Sequence, residues 1–158
     1  MKAATVSEIK KELSNRSSKE LLEYCLTLSK FKKENKELLT YLLYEAQDEE
    51  GYIRSVRMEI DAQFEAINTK NYYFIKKSIR KILRIAKKYI RYSKKKQTEV
   101  EILIYFCTKL KTFTPSIRRN TAMTNLYNRQ LAMIKKTVAT LHEDLQYDYE
   151  IELKDLVL

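Results

Sequence analysis

Few side chains in this sequence have the type and spacing that catalysis or metal binding requires. His142 is the only histidine, and neither Cys25 nor Cys107 belongs to a Cys-x-x-Cys pair, so the common zinc sites cannot be assembled. A glycine-rich phosphate loop is excluded because Gly51 is the only glycine. We therefore expect no enzyme activity, no catalytic residue, no metal site and no cofactor.

The remaining candidates for chemistry have ordinary structural interpretations. Cys25 and Cys107 are flanked by Leu, Tyr, Ile and Phe, which predicts buried free thiols that behave as small apolar side chains. A thiolate pair of Cys107 with His142 is disfavoured, because burial raises the pKa of a thiol. We expect His142 to be a solvated surface residue. Asp61 and Glu65, four residues apart, are predicted to be ordinary surface carboxylates.

The strongest chemical signal is a segregation of charge in the middle of the chain. Residues 66–98 contain 12 basic and no acidic side chains, whereas residues 143–158 contain 1 basic and 6 acidic ones, and the net charge is +10. At about 100° per residue, the cations of helix 70–96 fall on the arc opposite Ile75, Ile79 and Ile82. This basic face consists of Lys76, Lys77, Arg80, Lys81, Arg84, Lys87, Lys88 and Arg91.

Several roles for the basic face stay open. It can be a solvated surface, a docking surface for an acidic protein or for the chain's own acidic tail, or a site for nucleic-acid phosphates with Tyr73 and Tyr92 as stacking platforms. No pattern of Arg, Asn and Gln suggests base readout, so nucleic-acid binding would be nonspecific. A membrane role is disfavoured because the core needs the apolar arc. We expect a non-catalytic protein-interaction domain, with weak nonspecific nucleic-acid binding through helix 70–96 as the alternative.

The elements that position this face are expected to be helices. Gly51 and Pro115 are the only glycine and proline, and sheets need such turn formers. With 158 residues, 44% of them apolar and 33% charged, the chain can bury a core of its own. We predict an all-α, compact bundle of six or seven helices that forms a single domain over residues 1–158. Without a secretory signal or an apolar run that spans a bilayer, we expect a cytoplasmic protein.

Capping signals and periodicity predict where most helices lie. Ser17 and Glu20 have capping-box spacing ahead of an apolar run, which predicts a helix over residues 18–31. A short first helix is expected to begin near Thr5 or Ser7, and a third helix is expected to be capped near Asn35. The fourth, fifth and sixth helices are predicted at about residues 53–67, 71–93 and 97–113, the sixth in a central position because it is apolar on most sides.

The C-terminal third predicts one long helix and an extended tail. From Pro115 to Leu145, apolar residues follow a three-four alternation typical of a packing seam. This seam can serve the core of a monomer, which we favour, or join two copies as a homodimer. Residues 147–158 alternate apolar and charged side chains, as in Tyr149, Ile151 and Leu153, which predicts a short extended acidic tail. The seam residues are Thr124, Tyr127, Leu131, Ile134, Val138, Leu141 and Leu145.

Three N-terminal segments carry a similarity to other proteins: Ser7–Leu13, Ser17–Leu22 and Asn35–Leu43. In these segments, which fall within residues 1–45, the chain resembles a family of small uncharacterised bacterial all-helical proteins that carry a domain of unknown function. The lysine-rich fifth helix adds a weaker likeness. The resemblance implies a compact helical fold, and it supplies no activity and no functional residues.

Overall fold

A computed structural model describes residues 1–158 and contains eight α-helices and no β-strand, which confirms the all-α class. The count exceeds the six or seven helices expected. None of them is both long and apolar enough to cross a membrane. A π-helical turn, Tyr41–Glu45, follows the third helix, and a 3-10 turn, Ile117–Arg119, precedes the seventh. The helices are α1 Val6–Leu13, α2 Ser18–Phe31, α3 Lys33–Thr40, α4 Glu49–Glu65, α5 Tyr72–Ser93, α6 Lys96–Lys111, α7 Thr121–Val138 and α8 Glu143–Asp155.

The chain divides into two compact units. The N-terminal unit, Met1–Tyr44, contains α1 to α3, and the C-terminal unit, Glu45–Leu158, contains α4 to α8. A single domain over residues 1–158 therefore stays a prediction.

Local hydrogen bonds define the first helices of the N-terminal unit. The Thr5 side chain accepts from the Glu8 amide at 3.3 Å, and the Glu8 carboxylate accepts from the Thr5 amide at 2.7 Å. Ser17 and Glu20 form the same capping box, which confirms the helix over 18–31. The third helix instead follows Lys32 without a side-chain cap. α2 packs against α3, yet Tyr41 is the only buried residue of this unit.

The C-terminal unit has a closed apolar core around α6. This helix packs against α4, α5 and α7, and α8 packs against α7. Since three helices surround it, α6 buries side chains on most of its faces, as expected of a central helix. Its fully enclosed side chains include Ile102, Leu103, Phe106 and Leu110.

The predicted long C-terminal helix is wrong. α7 begins only at Thr121, because the Asn120 side chain accepts from the Met123 amide at 3.2 Å and caps the helix there. The helix ends at Val138, well before Leu145. The middle of the seam is buried within the C-terminal unit and serves its core. The buried seam residues are Tyr127, Leu131, Ile134 and Val138.

The predicted extended tail is also wrong, because residues Glu143–Asp155 form α8. Tyr149, Leu153 and Leu156 are buried and lie four and three residues apart, which is the spacing of a helical stripe. Ile151, which the alternating pattern placed beside them, is exposed. The pattern with a period of two coincided with a helical stripe in this short segment, and packing on α7 selected the helix.

Candidate functional site

Helix α5 carries the basic face on a well-defined scaffold. The Asn71 side chain accepts from the Phe74 amide at 3.2 Å and fixes the start of the helix. The helix then runs for 22 residues, about 33 Å, to Lys94, whose φ of 58° ends it. The predicted apolar arc is confirmed, because its side chains pack into the core of the C-terminal unit. The basic face lies on the opposite side of the helix, away from that core. The most deeply buried members of this arc are Ile75, Ile79, Ile82 and Ala86.

Two members of the basic face have partners within the chain. The Nζ atom of Lys87 lies 3.5 Å from the Met133 sulfur, and burial lowers the pKa of this amine, opposed in part by Glu99. The Nζ atom of Lys88 lies 5.0 Å from the centre of the Tyr89 ring. The other members, called the open cations below, form no ion pair. The open cations are Lys76, Lys77, Arg80, Lys81, Arg84 and Arg91.

Most of the open cations line one shallow groove of about 470 Å³. Tyr73 lies at its edge with 66% of its surface exposed, and its ring makes an edge-to-face contact with Phe74. Tyr92, the other predicted stacking platform, is buried, so that prediction is wrong. The groove contains no acidic side chain, and its positive charge therefore faces solvent without internal compensation. Its lining residues are Tyr73, Lys76, Lys77, Arg80, Lys81 and Arg84.

The chain's own acidic C-terminus does not cover the basic face. α8 carries the acidic residues of 143–155 and packs against α7. None of its carboxylates forms an ion pair with the open cations. The acidic tail is therefore not the internal partner of this face.

A polar network between α4 and α6 was missed at the sequence level. Asp61 accepts a hydrogen bond from the Tyr105 hydroxyl at 2.7 Å and lies 2.9 Å from the Lys109 amine. Burial alone would raise the pKa of Asp61, but these hydrogen bonds outweigh it and lower the pKa. Asp61 is thus a structural partner of α6, and its prediction as an ordinary surface carboxylate is wrong.

The same network continues to α8. Glu101 forms an ion pair with Arg57 and accepts a hydrogen bond from the Tyr149 hydroxyl at 2.8 Å. The pKa of Tyr149 is raised by burial and by the Glu101 carboxylate, so the phenol stays protonated and donates. The two contacts share one offset, because Arg57 and Asp61 on α4 pair with Glu101 and Tyr105 on α6, each 44 positions on, but the sequence carries no signal that pairs the two helices.

A third carboxylate, that of Glu49, joins the start of α4 to the turn between α5 and α6. Glu49 accepts a hydrogen bond from the Thr98 hydroxyl at 2.6 Å and another from Ser93. Its other oxygen lies 2.9 Å from the Lys95 amine. Lys95, in the middle of the lysine run that follows α5, is therefore committed to a structural ion pair.

The cysteines and the histidine do not form a reactive site. Cys107 is fully buried, and burial raises the pKa of its thiol to about 12, so almost no thiolate is present at neutral pH. Cys25 is exposed, so its prediction as a buried thiol is wrong. The His142 side chain is 75% exposed and caps α8 by accepting from the Asp144 amide at 3.4 Å.

Comparison with known proteins finds no family model, no curated protein and no solved structure that matches this chain. The resemblance of residues 1–45 to helical proteins of unknown function therefore stays a prediction. Function has to be inferred from the side chains that the fold leaves without partners. One cluster of such charged side chains is formed by the open cations of α5.

Proposed function

We propose that this chain is a non-catalytic, cytoplasmic interaction domain whose basic face docks an acidic segment of another protein. One observation carries the proposal: five of the six open cations line an exposed groove, and no carboxylate of the C-terminal unit forms an ion pair with them. The carboxylates of the network between α4 and α6 show the opposite arrangement, because each has a cation or a hydroxyl donor nearby. The open cations are therefore a cluster of like charge that has no carboxylate partner within the C-terminal unit.

Repulsion between like charges on the basic face favours the binding of an acidic partner there. Lys77 with Lys81, and Arg80 with Arg84, are like charges four residues apart, and each such pair costs a few tenths of a kcal/mol. Carboxylates placed between them relieve this repulsion, and each guanidinium can bind one in a bidentate manner. Exposed ion pairs contribute only about 0–1 kcal/mol each, so binding requires several contacts at once and weakens with salt.

Weak nonspecific nucleic-acid binding is the second candidate. Tyr73 favours it, since an exposed aromatic ring beside cations can stack on a base. The burial of Tyr92 disfavours nucleic-acid binding, because it leaves only the Tyr73 ring to stack on the bases of a nucleic-acid strand. We therefore rank an acidic protein segment first.

A binding titration separates these candidates. The chain is titrated with a labelled glutamate-rich peptide, and with a short DNA duplex and a single-stranded RNA of equal charge, at about 50 and 200 mM salt. We expect the peptide to bind at micromolar concentration in low salt and the nucleic acids to bind more weakly. Tighter duplex binding with a slope near −4.5 against log salt, as for about five phosphate contacts, would favour the second candidate. If none of the probes binds, the basic face is a solvated surface without a binding role.

Matched charge reversals locate the binding surface. Lys77→Glu, Arg80→Glu and Arg84→Glu together are expected to weaken peptide binding by at least about tenfold more than a control triple of equal charge change. All these side chains are exposed, so neither triple should alter the helical dichroism spectrum. Equal losses in the two triples would mean that net charge alone, and no particular face, attracts the peptide. The control triple is Arg118→Glu, Arg119→Glu and Lys136→Glu.

A further inference from the structure

The groove on the basic face is formed by α5 alone and is bounded by two rows of side chains. Within each row the side chains lie four residues apart, so they stand above one another on the helix and form a ridge. The two ridges are neighbours, because the rows are offset by three residues. The first row is Tyr73, Lys77 and Lys81, and the second row is Lys76, Arg80 and Arg84.

A groove between two neighbouring ridges has the shape that a second helix fills. When helices pack, a ridge of one inserts into a groove of the other, and four-residue ridges on both helices cross at about −50°. The groove extends from Tyr73 to Arg84, which at 1.5 Å per residue is about 17 Å of helix axis. Three successive side chains of one ridge span about 12 Å, so a ridge of three fits within this length.

The side chains along the groove specify what the inserted ridge carries. No acidic side chain lines the groove, so carboxylates of a partner fit beside Arg80 and Arg84, where a guanidinium can bind one in a bidentate manner. At the other end, the exposed ring of Tyr73 contacts Phe74 edge to face and offers an apolar surface to the partner. The matching ridge therefore has one apolar side chain and two carboxylates, spaced four residues apart.

We propose that the acidic partner of the basic face is an amphipathic helix whose ridge of one apolar and two acidic side chains inserts into the groove; this inference rests on the proposed function. The cations of each row repeat about every 6 Å, which is also the repeat of a helical ridge, whereas side chains on one face of an extended segment repeat about every 6.6 Å and fall out of register.

Docking of such a helix relieves repulsion on both sides of the interface. Carboxylates four residues apart repel each other in a free helix, as Lys77 and Lys81 do in α5. Each row of like charges is neutralised by the other when the ridge enters the groove. The partner segment is therefore expected to be only partly helical when free and to become helical when it binds.

Two peptides of equal composition and charge test the proposal on the full chain. The patterned peptide is Glu-x-x-x-Glu-x-x-x-Leu-x-x-x-Glu-x-x-x-Glu, with alanine and glutamine at the x positions, and its ridge reads the same in both directions along the groove. The scrambled peptide has the same residues, but no two of its glutamates lie three or four residues apart. In fluorescence anisotropy at about 50 mM salt, we expect the patterned peptide to bind at least about tenfold more tightly.

Charge reversal and peptide conformation separate the two levels of the account. The preference for the patterned peptide should disappear in the triple variant Lys77→Glu, Arg80→Glu and Arg84→Glu and persist in the control triple. The Cα chemical shifts of a ¹³C-labelled patterned peptide should move to helical values on binding. Equal affinities of the two peptides, or coil shifts in the complex, would overturn the helical partner while the docking surface stands. No binding of either peptide would overturn the proposed function as well.

A double-mutant cycle tests the apolar end of the ridge. Tyr73→Ala should weaken binding of the patterned peptide about fivefold, and it should have little effect on a peptide in which glutamine replaces the leucine. Tyr147→Ala is the matched control, because Tyr147 is 68% exposed but lies on α8, and it should not change the affinity. Equal losses for the leucine and glutamine peptides would overturn the contact between Tyr73 and the apolar side chain of the ridge.

Discussion

The two units of this chain both contain well-defined helices, but they differ in how much of their apolar surface is buried. In the C-terminal unit, α4 to α8 enclose a core, several charged groups form ion pairs, and a cluster of cations without ion-pair partners lies on the basic face. In the N-terminal unit, capping boxes define α1 and α2, yet only Tyr41 is buried and the apolar side chains face outward. The comparison teaches that capping fixes where a helix begins, whereas burial depends on what is available to pack against it.

The sharpest contrast between the units concerns their thiols. Cys25 of the N-terminal unit should react readily with a maleimide in the native state, whereas Cys107 should react at least about 1,000-fold more slowly, because burial shields it and raises its pKa to about 12. Mass spectrometry of peptides after timed labelling measures both rates. Comparable native rates would mean that the core around α6 opens easily.

Truncation of apolar side chains should destabilise the two units very differently. Phe106→Ala in α6 leaves a cavity in a closed core and is expected to lower the free energy of unfolding by about 3–5 kcal/mol. Leu42→Ala in the N-terminal unit removes a side chain that is 57% exposed, and its expected cost is below about 0.5 kcal/mol. Urea unfolding followed by circular dichroism measures both. Similar costs would contradict the contrast in burial.

Removal of one tyrosine hydroxyl should lower the unfolding free energy only where that hydroxyl makes a tertiary hydrogen bond. Tyr149→Phe removes the donor to Glu101 and is expected to cost about 1 kcal/mol of unfolding free energy. Tyr24→Phe is the matched control in the N-terminal unit, where the tyrosine is exposed, and it should have no measurable effect. If Tyr149→Phe were also neutral, the link between α8 and α6 would not contribute to stability.

The smallest expected effect is a dependence of stability on pH. The pKa of Asp61 is lowered in the folded chain, so its contribution is present above the unfolded pKa of about 3.9 and is lost as the pH falls through the folded value. Asp61→Asn should therefore cost up to about 1 kcal/mol at pH 6, and the difference from wild type should shrink below about pH 4. Urea unfolding at a series of pH values measures it. A difference that does not change with pH would contradict the pairing with Lys109.

Local signals in the sequence predicted the helices that depend on local physics. The capping box at Ser17 and the apolar arc of Ile75, Ile79 and Ile82 each determine a structure within one helix, and both predictions are confirmed. The basic face could be defined in the same way, because it is the complement of that arc.

Features that depend on tertiary partners escaped the sequence patterns. Tyr149 and Leu153 fit an alternating strand as well as a helical stripe, and only packing on α7 decides between them. Cys25 lies among apolar neighbours in the sequence but is exposed, because a run of apolar residues does not supply the surface that covers it. The contacts of Lys87 with Met133 and of Lys95 with Glu49 likewise depend on residues of other helices.

The most direct test of the proposed docking surface is an amide NMR titration of the chain with the glutamate-rich peptide in about 50 mM salt. We predict that the shifted amides cluster in α5 between Tyr73 and Arg84, and that the shifts disappear in the triple variant Lys77→Glu, Arg80→Glu and Arg84→Glu. Shifts that are absent, or that cluster around Arg118 and Arg119 instead, would contradict an acidic-partner site on the basic face.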